Sequence, residues 1–169
     1  MNVIIQEAQE SDAPQLIAFV RELADEPNIG IGLSPGDFKL TVEEEQKIVR
    51  DFAASKNSIF LVAESQEHII GILSCKGGQR RTIHHATTLG MSVGKEWRGK
   101  GVGNLLMRRA IEWAKQTKLI SRIELYVFTT NAVGIHLYKK FGFVVEGQRR
   151  KSIYRDGEYH DDLMMALLL

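Results

Sequence analysis

The sequence predicts an α/β (α+β) fold: one mixed sheet with helices on both faces, in the order β-α-α-β-β-β-α-β-α-β-β. Three observations lead there. At 169 residues, 44% hydrophobic and 25% charged, the chain has the size of one domain, residues 1–169, able to bury roughly two-thirds of its unfolded surface. Its three prolines, Pro14, Pro27 and Pro35, leave everything downstream free to run as helix or strand without a proline-rich linker. Period-2 and period-3.6 apolar patterns alternate along the chain, and a layered sheet is the economical way to bury both.

The elements follow in order. Val3 to Glu7 reads as a short strand. Ser11, Asp12 and Pro14 mark a helix start, and Ile17, Phe19, Val20 and Leu23 carry that helix to about Asp25. The loop from Pro27 through Asn28 to Gly36 is unusually apolar. Thr41 with Glu44 forms a capping box for a helix to about Ala54. Ile59 to Glu64 and Ile69 to Lys76 are β-rich runs around a hairpin at Ser65-Gln66-Glu67-His68, and Ala86 to Val93 is a further strand. A glycine-rich turn precedes a helix carrying Val102, Leu105, Leu106, Ala110, Ile111 and Ala114. Arg122 to Phe128 is a strand and Asn131 to Lys140 a short helix. Phe143 to Tyr154 and Glu158 to Leu168 are strands joined by the hairpin signal Asp156-Gly157.

Composition narrows the function. With 22 basic and 21 acidic residues the net charge is +1, which argues against a nucleic-acid surface, whose affinity comes from many phosphate-neutralising cations. A single cysteine, Cys75, excludes an internal disulfide framework and a four-cysteine zinc site. The five histidines lack helical metal-ligand spacing, so no metal is expected. The N-terminal segment lacks the pattern of a signal peptide, and no apolar run reaches membrane-spanning length, so a soluble cytoplasmic protein is expected.

Glycine is the most informative residue: five of the 15 fall between positions 90 and 103. The core, Arg98-Gly99-Lys100-Gly101-Val102-Gly103, lies between a strand and a helix. Such a turn aims successive backbone N–H groups at one point, where the helix dipole also favours an anion, and Arg98 and Lys100 add positive charge. A pyrophosphate is the natural occupant. The spacing matches neither a P-loop nor the G-x-G-x-x-G dinucleotide fingerprint, which would need glycine where Asn104 stands.

This segment resembles the GCN5-related N-acetyltransferases, whose pyrophosphate signature Gln/Arg-x-x-Gly-x-Gly/Ala is matched by Arg98, Gly101 and Gly103. Leu89 to Val93 resembles the family's fourth strand. Asn131, Ala132, Gly134, Tyr138, Gly142 and Phe143 resemble its Asn-x-x-Ala/Gly…Tyr…Gly-Phe segment. The resemblance implies a mostly antiparallel seven-stranded sheet with four helices. It also implies acetyl-CoA as co-substrate, a small-molecule amine as acceptor, and the dimers common in the family. Cofactor contacts are expected from Met91, Ser92, Val93, residues 98 to 103, Asn131, Gly134 and Tyr138, where the fourth and fifth strands splay apart. Tyr138 is the expected general acid toward the departing thiolate. Asn131, two turns earlier on the same face, can cap the helix while facing the cofactor.

Glu124 is the candidate base, from an alternating strand that could bury it and raise its pKa; pairing with a basic neighbour, or ordering the acceptor amine, is the alternative. The Arg149-Arg150-Lys151 cluster reads as a solvated strand face, or as a contact to the cofactor's ribose phosphate. Residues 122–125, 131–143 and the last hairpin resemble the branch that holds bacterial L-amino-acid N-acetyltransferases and, more distantly, ribosomal-protein and spermidine acetyltransferases. An amino acid is the expected acceptor. A protein N-terminus, or a non-catalytic acyl-CoA sensor, is the alternative.

Overall fold

The computed structural model describes residues 2–27 and 29–169; Asn28, in the apolar loop, and Met1 lie outside the described residues. The elements are β1 (Ile4–Glu7), α1 (Ala13–Asp25), α2 (Val42–Ala54), β2 (Ile59–Ser65), β3 (His68–Gly77), β4 (Ala86–Val93), α3 (Val102–Thr117), β5 (Arg122–Phe128), α4 (Ala132–Lys140), β6 (Val144–Arg155) and β7 (Glu158–Leu168). The seven strands form one sheet in the order β1-β2-β3-β4-β5-β7-β6, antiparallel throughout except for β4 against β5.

Alternation along the strands divides the core between the two faces. On β2, Leu61 and Ala63 join the cluster beneath α3, while Val62 points the other way to meet Leu16 of α1 and Val49 of α2. The buried stripe of α3 is Val102, Leu106, Ala110 and Ala114, at i, i+4, i+8 and i+12, with Met107 beside it. Burial contributes roughly 1.5–3 kcal/mol for each of its large side chains. The small residues at 110 and 114 let the later turns lie close to the sheet. Leu105, counted with this face in the sequence, is 43% exposed and lies off the stripe.

Local geometry departs from expectation at the start of α1. Ser11 does not cap α1; residues Glu10–Asp12 form a 3-10 turn first, closed by the Gln9 amide donating to Asp12 Oδ2 at 2.8 Å, and Pro14 sits in the first turn of α1. The β2–β3 hairpin turns through Gln66 (φ 51°) and Glu67 (φ 64°), the left-handed pair of a type I′ turn made without glycine or asparagine. Thr41 caps α2 by the reciprocal bonds of a capping box: its Oγ1 accepts from the Glu44 amide at 3.2 Å and its amide donates to Glu44 Oε2 at 2.8 Å. Asp156 (φ 54°) and Gly157 (φ 82°) make the second type I′ turn, between β6 and β7.

Candidate active site

The site begins with a defect in the sheet. β4 and β5 pair only from Ala86↔Arg122 to Leu89↔Leu125. Beyond that point β4 keeps β3 as a partner and β5 keeps β7, so the strands part and the facing edge of residues 90–93 is left without a β partner. Unpaired strand backbone is a ready hydrogen-bonding surface. Two cavities open there. One, of about 820 Å³, extends between the glycine turn and α4. The other, of about 500 Å³, extends over the sheet toward α1 and β6. They share a wall made of Gly30, Ile31, Met91, Ser92, Asn131 and Tyr138.

The glycine turn forms the far end of the larger cavity. Gly99 (φ 71°) and Gly101 (φ 88°) adopt left-handed conformations that only glycine takes without strain, and Gly101 is the N-cap of α3. With no side chain capping the helix, the amides of residues 99–103 have no acceptor among the described residues, and the positive end of the α3 dipole adds to them. Four of these residues, Gly99, Gly101, Val102 and Gly103, line the cavity, and unpaired amides at a helix start suit an anion such as a diphosphate. A Cβ at Gly103 would lie 3.2 Å from Leu137 Cδ2 and 3.6 Å from Met91 Cε, so this turn, α4 and β4 meet closely.

The two cations of the motif serve other ends than expected. The Arg98 guanidinium grips Glu26 with two bonds, of 2.6 and 2.7 Å, and its Nε donates to the Val93 carbonyl at 2.9 Å. This hydrogen-bonded cation holds the Glu26 carboxyl below its ordinary range. Arg98 thus braces the turn against the end of α1. Lys100 lies over the Trp97 ring, 5.4 Å from its centre, and does not line the cavity. The lysine that does line it is Lys140, held by Asn104 Oδ1 at 2.8 Å. Its place at the last turn of α4 carried no motif.

On α4, Asn131 Oδ1 accepts from the Gly134 amide at 2.9 Å, which caps the helix, and Asn131 also faces both cavities. Tyr138 stands two turns on, buried, with its ring tilted against Phe143 at 5.9 Å between centres. Burial pushes its phenol up to about 12, so it is protonated at any ordinary pH. Met91, Ser92, Val93, Arg98, Gly99, Gly101, Val102, Gly103, Asn131, Gly134 and Tyr138 all line the larger cavity.

Glu124 lies elsewhere. Arg122 Nε holds it at 2.9 Å while the rest of that guanidinium engages Glu146 at 2.5 and 2.9 Å, and Glu124 lines neither cavity. The pairing role describes it, in place of the base. The basic cluster on β6 is corrected as well. Arg149 is not simply solvated: it forms a two-point pair with Asp162 (Nε–Oδ1 2.8 Å, Nη2–Oδ2 2.5 Å) and stacks over Tyr126 at 3.9 Å. Arg155 was not recognised in the sequence at all. Its guanidinium is buried and donates to the carbonyls of Ala24, Glu26, Ile31 and Leu33, clamping the apolar loop over the cavities.

A sheet split at this point, with a glycine-rich helix start on one side, defines an acyltransferase-like cleft. The chain belongs to the acetyltransferase (GNAT) family, whose model matches residues 16–143. It is 40% identical over 106 residues to the L-amino acid N-acetyltransferase AaaT of Escherichia coli (strain K12), an alignment covering 63% of this chain and 65% of that protein. It is 28% identical over 109 residues to the spermidine N(1)-acetyltransferase of Vibrio cholerae, covering 64% and 62%. The chain thus spans less than two-thirds of the length of these curated relatives. The crystal structure of a GNAT-family acetyltransferase from Streptococcus pneumoniae superposes with a TM-score of 0.95 at 33% identity, covering 99% of both chains.

Proposed function

We propose that this protein is an acetyl-CoA-dependent N-acetyltransferase whose acceptor is the primary amine of a small molecule of the amino-acid class. The observation that carries the reading is the shared wall. A cavity ending in the unbonded amides of the glycine turn meets a second, largely apolar cavity at Tyr138. The residues present fit acetyl-CoA: the amides of 99–103 would hold its diphosphate, and the open backbone of 91–93 its amide-bearing arm. When bound, acetyl-CoA supplies an activated thioester.

The chain's own groups then have distinct tasks. Tyr138, kept protonated by burial, donates a hydrogen bond to the sulfur as negative charge builds there. An amide of the open β4 edge near Met91 is placed to stabilise the developing oxyanion. Cys75 is buried in the core and its thiol is pushed up to about 12, so it offers no thiolate for a covalent acetyl-enzyme, which favours direct attack by the amine.

The carboxylates lining the two cavities are Glu26 and Asp162, and both are occupied by arginines. The amine therefore enters as free base. A peptide α-amine with pKa near 8 is roughly one-tenth free base at pH 7 and a lysine-like amine near 10.4 under about a thousandth, with a free amino acid between them because its own carboxylate favours the ammonium form. The same shortage of free carboxylates weighs against a polyamine acceptor. Relatedness to AaaT supports the amino-acid class.

The test is thiol release from acetyl-CoA across a panel of amino acids, polyamines and peptide N-termini, beside calorimetry with CoA. Release with amino acids supports the reading. Tight CoA binding with no thiol from any amine would make the protein an acyl-CoA sensor instead.

A further inference from the structure

We propose that Arg149 is the carboxylate-binding residue of the smaller cavity, so that the acceptor is an α-amino acid with an apolar side chain. This rests on the N-acetyltransferase reading and deepens it. A guanidinium has five N–H donors. Asp162 uses two of them, and the other three have no acceptor among the described residues. The Arg149 side chain is half exposed, and the residue lines the cavity.

The group is also held ready. Asp162 is 1% exposed and grips one edge of the fork, and the Tyr126 ring lies beneath it at 3.9 Å. A planar fork fixed on one edge and one face presents its remaining edge in one orientation, which suits a carboxylate and lowers the ordering cost of binding. Asp162 and Arg149 are the only charged residues lining this cavity among the described ones. Val20, Leu23, Phe60, Ile72 and Ile153 supply apolar surface around them. The wall shared with the larger cavity also borders this one and carries Tyr138.

A ligand matching this lining has an anion for the fork, a neutral amine for the shared wall and an apolar branch for the remaining surface. A polyamine would place a cation against Arg149, and a peptide N-terminus lacks a carboxylate beside its amine. An α-amino acid has all three parts.

The experiment compares L-leucine with L-leucinamide as acceptors in a thiol-release assay at pH 7.5. Leucinamide has the same shape, and its amine is less basic than that of leucine, so it offers more free base. A preference for leucine cannot then come from basicity. We expect kcat/KM for leucine to exceed that for leucinamide at least tenfold, about 1.4 kcal/mol. In Arg149→Gln that ratio should fall close to one through a raised KM for leucine, with KM for acetyl-CoA within twofold. Arg149→Lys keeps a cation beside Asp162 should the glutamine variant fold poorly, and loses the fork; its ratio should fall by at least threefold. Equal use of both probes by the wild type would overturn the proposal, as would an undiminished ratio in either folded variant. Turnover of other amines with neither probe used would overturn it too. Absence of thiol with every amine would instead bring down the acetyltransferase reading, and this proposal with it.

Discussion

Replacing Arg155 by methionine tests how the apolar loop is held. The side chain is 2% exposed and issues four bonds to main-chain carbonyls: Nη2 to Ala24 at 3.0 Å and Glu26 at 2.8 Å, and Nη1 to Ile31 at 3.3 Å and to Leu33. Its Nε reaches Asp156 Oδ2 at 3.1 Å, but that carboxylate is 45% exposed and can turn to water. Methionine keeps the length and the packing and removes all five donors. At a net 0.5–1.5 kcal/mol for each carbonyl bond the gross loss is about 2–6 kcal/mol. Relief of the desolvation carried by a buried guanidinium offsets part of this, which leaves about 3 kcal/mol. For a chain of this size that lowers Tm by roughly 6–12 °C. Thermal and urea unfolding followed by circular dichroism give the number directly, with the urea slope unchanged. Because Gly30 and Ile31 line both cavities, KM for the acceptor should also rise. A Tm within about 2 °C of wild type would refute the reasoning, since water would then satisfy those carbonyls as well as the arginine does.

Other residues give sharper readouts of the chemistry. Tyr138→Phe should lower kcat by about 100-fold or more while leaving KM for acetyl-CoA little changed, measured by thiol release; an unchanged kcat removes the acid role. Since burial raises the Tyr138 pKa to about 12, wild-type kcat should show no loss from phenol ionisation up to pH 10. The Glu26–Arg98 brace gives a signed pH effect. The folded-state pKa of Glu26 lies below its ordinary 4.5, so the brace contributes fully above about pH 4.5 and is lost as pH falls through the lower folded value. The stability gap between wild type and Glu26→Gln, from urea midpoints, should therefore shrink between pH 6 and pH 3. Cys75→Ala should retain wild-type kcat, and the native thiol should resist an aromatic disulfide reagent at pH 8 until urea unfolds the chain.

What could be read from the residues was what neighbouring positions decide. Strand and helix order follows from apolar periodicity, which is local. The α3 start is marked by Gly99 and Gly101 because glycine takes a left-handed backbone most readily. Asn131 and Tyr138 fall on one face of α4 because seven residues make nearly two turns. Glu124 shows where such reading stops. Alternation put it on a covered sheet, but its charge environment came from Arg122, an arginine shared with Glu146, 24 positions away.

By itself, then, the sequence determined the element order, the glycine turn at the start of α3 and the tyrosine that lines the same cavity. Only the tertiary structure decided which charges meet. Arg98 pairs with Glu26 across 72 residues, Arg149 with the buried Asp162, and Arg155 with carbonyls more than 120 positions earlier. An ionised side chain reaches several ångströms and selects whichever partner the fold brings within that radius. Chain separation carries no information about that choice, and the separation of β4 from β5 that opens the cleft depends in the same way on tertiary pairing, β3 holding one strand and the C-terminal β7 the other.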